Sequence, residues 1–393
     1  MLFTDEQIAL RDAARRFATE QLLPHYQVRE RTGRMDRQLV LEMGRLGLIG
    51  ADLPQEHGGL GADGVTTGML IEQLAYGDFN VSYVQLMASL MGAIIVKNAS
   101  QAVVDTWIPR IVSGEAIIAL GLTEPRGGSD AANLQMRARH DGAEWVLTGE
   151  KTSISFADQA DAAVVFARTG SAQDGARGVS AFFVPLDLPG ITRTAFDDVG
   201  SRIVGRGSIF LDEVRVPEAF VLGAEGTGFT QVMKGFDYSR ILIALQCIAA
   251  AQASLDEAWA YVREREAFGA PLVQYQGVSF PLAEGETMLA AARELCYSAL
   301  QLRDAGRPHT AEAAMVKWFA PKTAFDVIHQ CLLSMGHYGW TMESPHQQRM
   351  RDVMGLEIGD GPASVMKLVI AREKVGRAAV QYGKKTAAVG VSS

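Results

Sequence analysis

Cysteine is scarce in this sequence, and the few cysteines present form no recognisable cluster. The three cysteines among 393 residues, Cys247, Cys296 and Cys331, are far apart and lie in apolar stretches. An odd number of cysteines without CxxC spacing argues against both a disulfide framework and a zinc site. The seven histidines show no HExxH or other paired spacing, so we predict that the protein binds no metal.

Long apolar runs and basic runs are also missing. No stretch reaches the roughly 18 uninterrupted apolar residues that a membrane span needs. The N-terminus, MLFTDEQ, becomes charged too early for a signal peptide. A net charge of −8 without a Lys/Arg-rich run gives little support for nucleic-acid binding. The sequence also lacks a GxSxG motif, which weighs against a hydrolase with a nucleophile elbow. We therefore expect a cytoplasmic protein that binds neither membranes nor nucleic acid.

The hydrophobic pattern changes twice along the chain. Thr4 followed by Gln7 has the form of a capping box, and apolar residues after it recur at helical spacing. From residue 116 short strand-like segments alternate with Gly, Asp and Pro, which is typical of an antiparallel β-domain. From residue 229 the pattern is helical again. The order predicts an α+β fold with three domains: an N-terminal helical domain (1–115), a central antiparallel β-domain (116–228) and a C-terminal helical domain (229–393).

The individual helices can be placed approximately. In the first domain we predict helices at about 36–47, 65–76 and 80–97, and another that starts at Ser100. In the third domain we predict helices at about 230–266, 274–305, 310–333 and 362–383.

A glycine-rich segment at 59–64 matches the sequence pattern of a dinucleotide-binding motif. Gly59, Gly61 and Gly64 fit GxGxxG, but a dinucleotide site needs a strand before the motif and a βαβ unit around it. Here we predict helices on both sides. We therefore interpret the segment as a turn-rich loop.

Three other segments carry residues suited to binding or catalysis. LTEPRGGSD at 122–130 follows a strand, REAFG at 265–269 ends a helix, and GDGPA at 359–363 precedes the last helix. Each has an ordinary structural explanation when taken alone, as a turn, a basic helix end or a helix cap. Their order along one chain is the informative feature.

In this order the segments resemble the acyl-CoA dehydrogenases. TEPxxGSD, R-x-x-F-G, and an acid–Gly pair before a final helix with I-A-R-E are marks of that family, and the resemblance extends over nearly the whole chain. Further similar segments are PQEHGGLG at 54–61, GSRIVGRGSIFLDEVRVP at 200–217, FDYSR at 236–240, GWTMESP at 339–345 and RD at 351–352. The resemblance implies an acyl-CoA dehydrogenase-like fold with an N-terminal helical domain, a central β-domain and a C-terminal four-helix domain.

The resemblance also implies two sets of contacts to the cofactor FAD. Leu122, Thr123 and Ser155 would contact the flavin, and Ser129 would face the CoA ester or the flavin phosphates. A second set would reach the FAD of a neighbouring subunit in a homotetramer built as a dimer of dimers. That second set comprises Arg265, Phe268, Gln276 and Gly336.

Asp360 occupies the position of the catalytic base in the family. The resemblance implies that its carboxylate removes the α-proton of an acyl-CoA, that flavin N5 accepts the β-hydride, and that an electron-transfer flavoprotein accepts the electrons. The residues that the resemblance assigns to the acyl-CoA site are Tyr83, Met87, Met91, Ser129, Asp237, Arg240 and Gly361.

Several positions depart from the family pattern. Ser153 replaces a frequent Trp beside the flavin, Leu333 and Gly336-His337 replace a Gln and a Gly-Gly turn, and Pro362 replaces the usual Thr. Most members carry Glu at the base position, and Asp360 is shorter by about 1.5 Å, one carbon–carbon bond.

The shorter base bears on the substrate. A ring α-carbon, as in cyclohexane-1-carboxyl-CoA, is tertiary and is held differently from that of a linear chain, and members acting on alicyclic esters resemble this chain in carrying Asp. We therefore favour α,β-dehydrogenation of an alicyclic acyl-CoA. The alternatives are a short branched-chain acyl-CoA dehydrogenase, 1,4-dehydrogenation of a cyclic enoyl-CoA, a nitroalkane-oxidase-like flavin oxidase, and a non-enzymatic relative. The residues leave open the acyl group, the electron acceptor and the oligomeric state.

Overall fold

The computed structural model describes residues 3–379, apart from the side chain of Arg377. The N-terminal part is helical, and the predicted capping box is present, since the Thr4 and Gln7 side chains each accept a hydrogen bond from the other residue's backbone N–H (3.2 and 3.1 Å). Its helices are α1 (Asp5–Phe17), α2 (Tyr26–Thr32), α3 (Arg37–Arg45), α4 (Gly64–Gly77), α5 (Ser82–Asn98) and α6 (Gln101–Val112). The GxGxxG segment forms a loop between a short 3₁₀ turn, Gln55–His57, and α4, as interpreted from the sequence.

The central part is one eight-stranded sheet with the order β6-β7-β3-β2-β4-β5-β8, and β1 pairs with β4. Most neighbours are antiparallel, as predicted, but β1 runs parallel to β4, and β2 meets β4 in a parallel pair. β4 is buried along almost its whole length, which explains its continuous apolar sequence, AAVVFAR. The strands are β1 (Ile118–Gly121), β2 (Arg137–Asp141), β3 (Glu144–Ile154), β4 (Ala162–Arg168), β5 (Val179–Pro185), β6 (Ile191–Ala195), β7 (Gly207–Pro217) and β8 (Val221–Leu222).

The C-terminal part is a bundle of long helices with a small hairpin. The sequence analysis overlooked α2, β2, β8, the hairpin and α10, a short helix that starts with the polar segment HQQRMRD. The last helix ends at Val375 and a 3₁₀ turn continues to Ala379, while the predicted extension to 383 lies outside the described residues. The elements are α7 (Gly228–Glu264), β9 (Glu266–Ala267), β10 (Ala270–Pro271), α8 (Gln276–Asp304), α9 (Thr310–Ser334), α10 (His346–Ile358) and α11 (Ala363–Val375).

Helix α7 is the centre of the helical core. It packs against α4, α5, α8 and α9. Within residues 3–379 it is the one helix that is long and apolar enough to cross a membrane by composition, but 83% of its most apolar window is buried inside the protein. Because buried core helices meet the same criterion, its hydropathy does not indicate a membrane span.

Candidate active site

Asp360 lies in the short connection between α10 and α11, in a backbone conformation that few residues adopt. Its φ is +53°, and the φ of Gly361 is +110°. A Cβ atom at position 361 would meet the terminal methyl group of Met366, which can move, so the preference for glycine there is mainly conformational. A non-glycine residue in the left-handed region costs free energy, which fits a carboxylate whose direction is set by function.

Two cations act on the Asp360 carboxylate. Burial raises the pKa of Asp360 above its usual value, and the charges of Lys317 and Arg240 reduce this effect without outweighing it. Arg240 Nε donates a hydrogen bond to the Asp360 carbonyl oxygen (3.2 Å), and its Nη1 is paired with Asp237 Oδ1 (3.3 Å). The other Asp237 oxygen accepts a hydrogen bond from the Thr310 hydroxyl (2.6 Å). The predicted residues Asp237, Arg240, Asp360 and Gly361 are therefore brought together.

Lys317 is a part of this site that the sequence analysis missed. It lies on α9 with a side chain that is 1% exposed, and burial lowers its pKa to about 8. Its neighbours at helical spacing, Ala313, Ala314 and Ala320, are buried as well. This apolar face around a lysine is the signal that could have revealed it.

Tyr83 is the residue of α5 that is electrostatically linked to Asp360. Burial and the Asp360 charge both raise the pKa of the Tyr83 hydroxyl, so the group keeps its proton at neutral pH. Its ring packs against Phe79, with the ring centroids 5.7 Å apart. Met87 and Met91 lie one and two turns further along α5 and are buried, and their predicted contact with substrate stays a prediction.

The turn that begins at Leu122 is anchored by a buried ion pair. The Glu124 carboxylate accepts hydrogen bonds from Lys151 Nζ (2.7 Å) and from the backbone N–H of Met136 (2.9 Å). Burial raises the pKa of Glu124, but Lys151 outweighs this effect and holds it below its usual value. Lys151 Nζ also donates to the Leu122 carbonyl oxygen (3.2 Å). The outer face of the turn, from Pro125 to Asp130, stays exposed.

The hydroxyl groups predicted to contact FAD are available for it. Thr123 and Ser155 are half-buried and Ser129 is exposed. Their side chains form no hydrogen bond with any residue in the range 3–379. Thr152 N–H donates to the Thr123 carbonyl (2.9 Å), which joins the turn to the irregular end of β3. Unpaired hydroxyls on a fixed turn suit the polar edge of a flavin.

The second predicted cofactor set lies on the surface of this chain. Arg265, Gln276 and Gly336 are exposed, and Phe268 is 99% exposed at the tip of the β9–β10 hairpin. Arg265 forms no side-chain hydrogen bond or ion pair with another described residue. An unpaired, exposed guanidinium suits a phosphate-containing ligand, and the contact with FAD of a neighbouring subunit stays a prediction.

Models of all three domains of one family match the chain. "Acyl-CoA dehydrogenase, N-terminal domain" matches residues 4–115, the middle domain matches 119–214 and the C-terminal domain matches 226–375. A relative from Bacillus subtilis, the "Probable acyl-CoA dehydrogenase YngJ", is 36% identical over 94% of this chain and 98% of its own length.

Solved structures give the same result. Butyryl-CoA dehydrogenase from Megasphaera elsdenii has a TM-score of 0.91 at 31% identity, with 95% of this chain and 99% of that chain covered. A glutaryl-CoA dehydrogenase from Mycobacterium smegmatis, solved in complex with FADH2, has a TM-score of 0.91 at 27% identity, with 96% and 97% covered.

Proposed function

The chain belongs to the acyl-CoA dehydrogenase family of FAD-dependent oxidoreductases acting on CH–CH groups, and we propose that its substrate is an alicyclic acyl-CoA such as cyclohexane-1-carboxyl-CoA, with Asp360 as the base. The observation that carries the proposal is a buried carboxylate on a residue in the left-handed conformation, on which the charges of Lys317 and Arg240 act. A base whose position is fixed and whose pKa is raised above its usual value can remove a weakly acidic proton.

The α-proton of a thioester becomes acidic only when the carbonyl oxygen is stabilised as negative charge develops. The backbone N–H of Asp360 donates to no acceptor within residues 3–379. We propose that it donates to the thioester oxygen, as in an oxyanion hole. The same residue would then polarise the carbonyl and accept the α-proton.

The FAD would be held by Leu122, Thr123, Ser129 and Ser155, with Arg265, Phe268, Gln276 and Gly336 supplied to a neighbouring subunit. When bound, the flavin supplies the two-electron acceptor for the β-hydrogen. Because Ser153 is exposed beside these hydroxyls, it leaves more room next to the ring than the Trp common in the family.

The preference for a ring ester rests on the length of the base and on its surroundings. Asp reaches about 1.5 Å less far than Glu, so the α-carbon has to lie closer to the 359–361 backbone. The Tyr83 hydroxyl near Asp360 keeps its proton because of burial and the Asp360 charge, so it does not provide a second base. Helix α5 also carries no Asp or Glu, and the lack of a second carboxylate there supports α,β-dehydrogenation of a saturated ring over a 1,4-dehydrogenation.

The substrate can be tested by anaerobic flavin reduction. We expect cyclohexane-1-carboxyl-CoA to bleach the flavin faster than isobutyryl-CoA, butyryl-CoA or octanoyl-CoA. Faster reduction by a linear ester would reject the alicyclic assignment, and faster reduction by isobutyryl-CoA would favour the branched-chain alternative. Cyclohex-1-ene-1-carboxyl-CoA tests 1,4-dehydrogenation, and rapid reoxidation by oxygen without any dependence on CoA would indicate an oxidase.

We further propose a homotetramer that passes electrons to an electron-transfer flavoprotein in the cytoplasm. Large exposed apolar side chains near the second cofactor set support an oligomer. These are Phe268, Leu333, Tyr338, Trp340 and Met342. Sedimentation at equilibrium would give the number of subunits, and a monomer would reject the assignment of cofactor contacts to a partner.

A further inference from the structure

Lys317 is a buried cation with an unusual set of partners. Among residues 3–379 no carboxylate lies within ion-pair distance of its Nζ. Instead, Nζ donates hydrogen bonds to two carbonyl oxygens, those of Leu356 (2.6 Å) and Gly361 (3.2 Å). A buried ammonium group without a carboxylate partner is costly, so its retention needs an explanation.

The two carbonyls lie on either side of Asp360. Leu356 belongs to the last turn of α10, four residues before Asp360, and Gly361 follows Asp360 directly. A cation is favoured at a helix C-terminus because the last carbonyl groups carry partial negative charge. Lys317 thus links Leu356 at the end of α10 to Gly361. The strained residue Asp360 lies between these two bonded residues in the chain.

The titratable groups around Lys317 come from three elements, and the Cys247 thiol among them is neutral at neutral pH because burial raises its pKa to about 12. Asp360 faces it from the connection, Arg240 and Cys247 from α7, and Glu357 from α10. Asp360 contributes the largest favourable interaction, and Arg240 opposes the charge of Lys317. Since burial lowers the pKa of Lys317 only to about 8, the ammonium form predominates at neutral pH.

We propose that Lys317 is a positioning residue for Asp360. Its two hydrogen bonds hold the segment 356–361 in the conformation that presents the carboxylate, and its positive charge offsets part of the cost of burying that carboxylate. The proposal rests on the proposed function in taking Asp360 as the base.

The positioning role is tested by hydrogen–deuterium exchange on the FAD-loaded enzyme without any acyl-CoA. Lys317→Met removes both hydrogen bonds, and we expect exchange at residues 356–361 to accelerate by about tenfold or more. Lys322→Met is the matched control, because Lys322 lies on the same helix, is 54% exposed and has Asp326 as its one ion-pair partner among residues 3–379. Unchanged exchange in Lys317→Met overturns the positioning role.

The charge role is tested by the pH profile of anaerobic flavin reduction. Lys317→Gln keeps a hydrogen-bond donor but removes the charge, so the pKa of Asp360 rises and the acidic limb moves up by about one pH unit or more. An unmoved limb overturns the charge role. If Lys317→Met does not fold, the exchange measurement is made on Lys317→Gln, whose shorter side chain can keep only part of the bonding, so a smaller acceleration of about threefold is expected; unchanged exchange there also overturns the positioning role. If no acyl-CoA reduces the wild-type flavin, the proposed function fails, while the exchange experiment still decides on positioning.

Discussion

Replacement of Lys151 by Met tests whether the buried pair Lys151–Glu124 holds the turn that would contact the flavin. The Lys151 side chain is fully buried, and its Nζ lies 2.7 Å from Glu124 Oε1. Methionine has a similar shape and is apolar, so Lys151→Met removes the cation and leaves little cavity. It also removes the hydrogen bond to the Leu122 carbonyl oxygen.

The magnitude follows from what remains around Glu124. Loss of one partner of a buried ion pair costs about 3–5 kcal/mol, because the other charge is left buried and unpaired. Glu124 keeps hydrogen bonds from the backbone N–H groups of Gln135 and Met136. We therefore expect the lower end, about 3 kcal/mol of unfolding free energy. The double variant Lys151→Met/Glu124→Gln leaves no unpaired charge, but it turns the introduced amide NH2 group toward one of the two backbone N–H donors, so it should recover only a small part of this loss.

The assay is urea unfolding of the FAD-loaded protein, combined with measurement of the FAD retained after gel filtration. Lys322→Met serves as the control and should change stability by less than about 0.5 kcal/mol, since it removes only an exposed pair. A loss below about 1 kcal/mol in Lys151→Met would refute the reasoning on the ion pair. A large loss of stability with unchanged FAD affinity would show that the pair does not organise the flavin-binding turn.

Three further variants test other parts of the account. Arg265→Ala should weaken both FAD binding and subunit assembly through lost contacts to phosphate, whereas Arg263→Ala, at another exposed position, should change neither. Flavin fluorescence measures FAD binding and sedimentation measures assembly. Equal FAD affinities of Arg265→Ala and the wild type would contradict the cross-subunit role. Asp360→Glu should keep its FAD but reduce it about 100-fold more slowly, because a displacement of about 1 Å is costly, and a wild-type rate would count against a pocket built for Asp. Burial raises the pKa of Asp352 to about 7, so the ionised form is disfavoured in the folded state and stability falls as pH rises through that value. The stability of the wild type relative to Asp352→Asn should therefore decline by up to about 1.4 kcal/mol per pH unit between about pH 5 and pH 7, and a pH-independent difference in urea unfolding would contradict this.

Local signals predicted much of the fold. The capping box at Thr4 depends on residues three positions apart, and the helices of both helical parts follow from apolar periodicity. Helix α10 was overlooked because its first residues are polar and because the contacts that stabilise it come from residues distant in the sequence. Arg349 in this helix pairs with Glu257 of α7 (2.7 Å), and Asp352 accepts hydrogen bonds from Tyr26 and Asn80.

The candidate site was predictable only where a motif carried it. Asp360 and Arg240 could be named because their neighbours in sequence form recognisable segments. Lys151 could not, because a lysine in a sequence indicates an exposed side chain unless its partners are known, and for Lys317 the apolar face around it indicates burial but does not identify its partners. Those partners, Leu356 and Glu124, lie 39 and 27 residues away along the chain.

The parallel pairing of β1 with β4 was also not predictable from the sequence, because it depends on residues that are distant along the chain. Ile118 aligns with Ala162 across the sheet, and the apolar composition of both strands is equally compatible with either direction. Strand direction is set by the connections and by packing on both faces of β4, neither of which is contained in the local pattern.

The central claim is that Asp360 removes the α-proton of the acyl-CoA. Asparagine has nearly the same shape as aspartate but cannot accept the proton. The decisive measurement is the rate of anaerobic flavin reduction by cyclohexane-1-carboxyl-CoA in Asp360→Asn, at FAD content and ligand binding equal to the wild type. We predict a rate about 100- to 10,000-fold lower than that of the wild type; reduction at the wild-type rate would contradict the claim and place the base elsewhere.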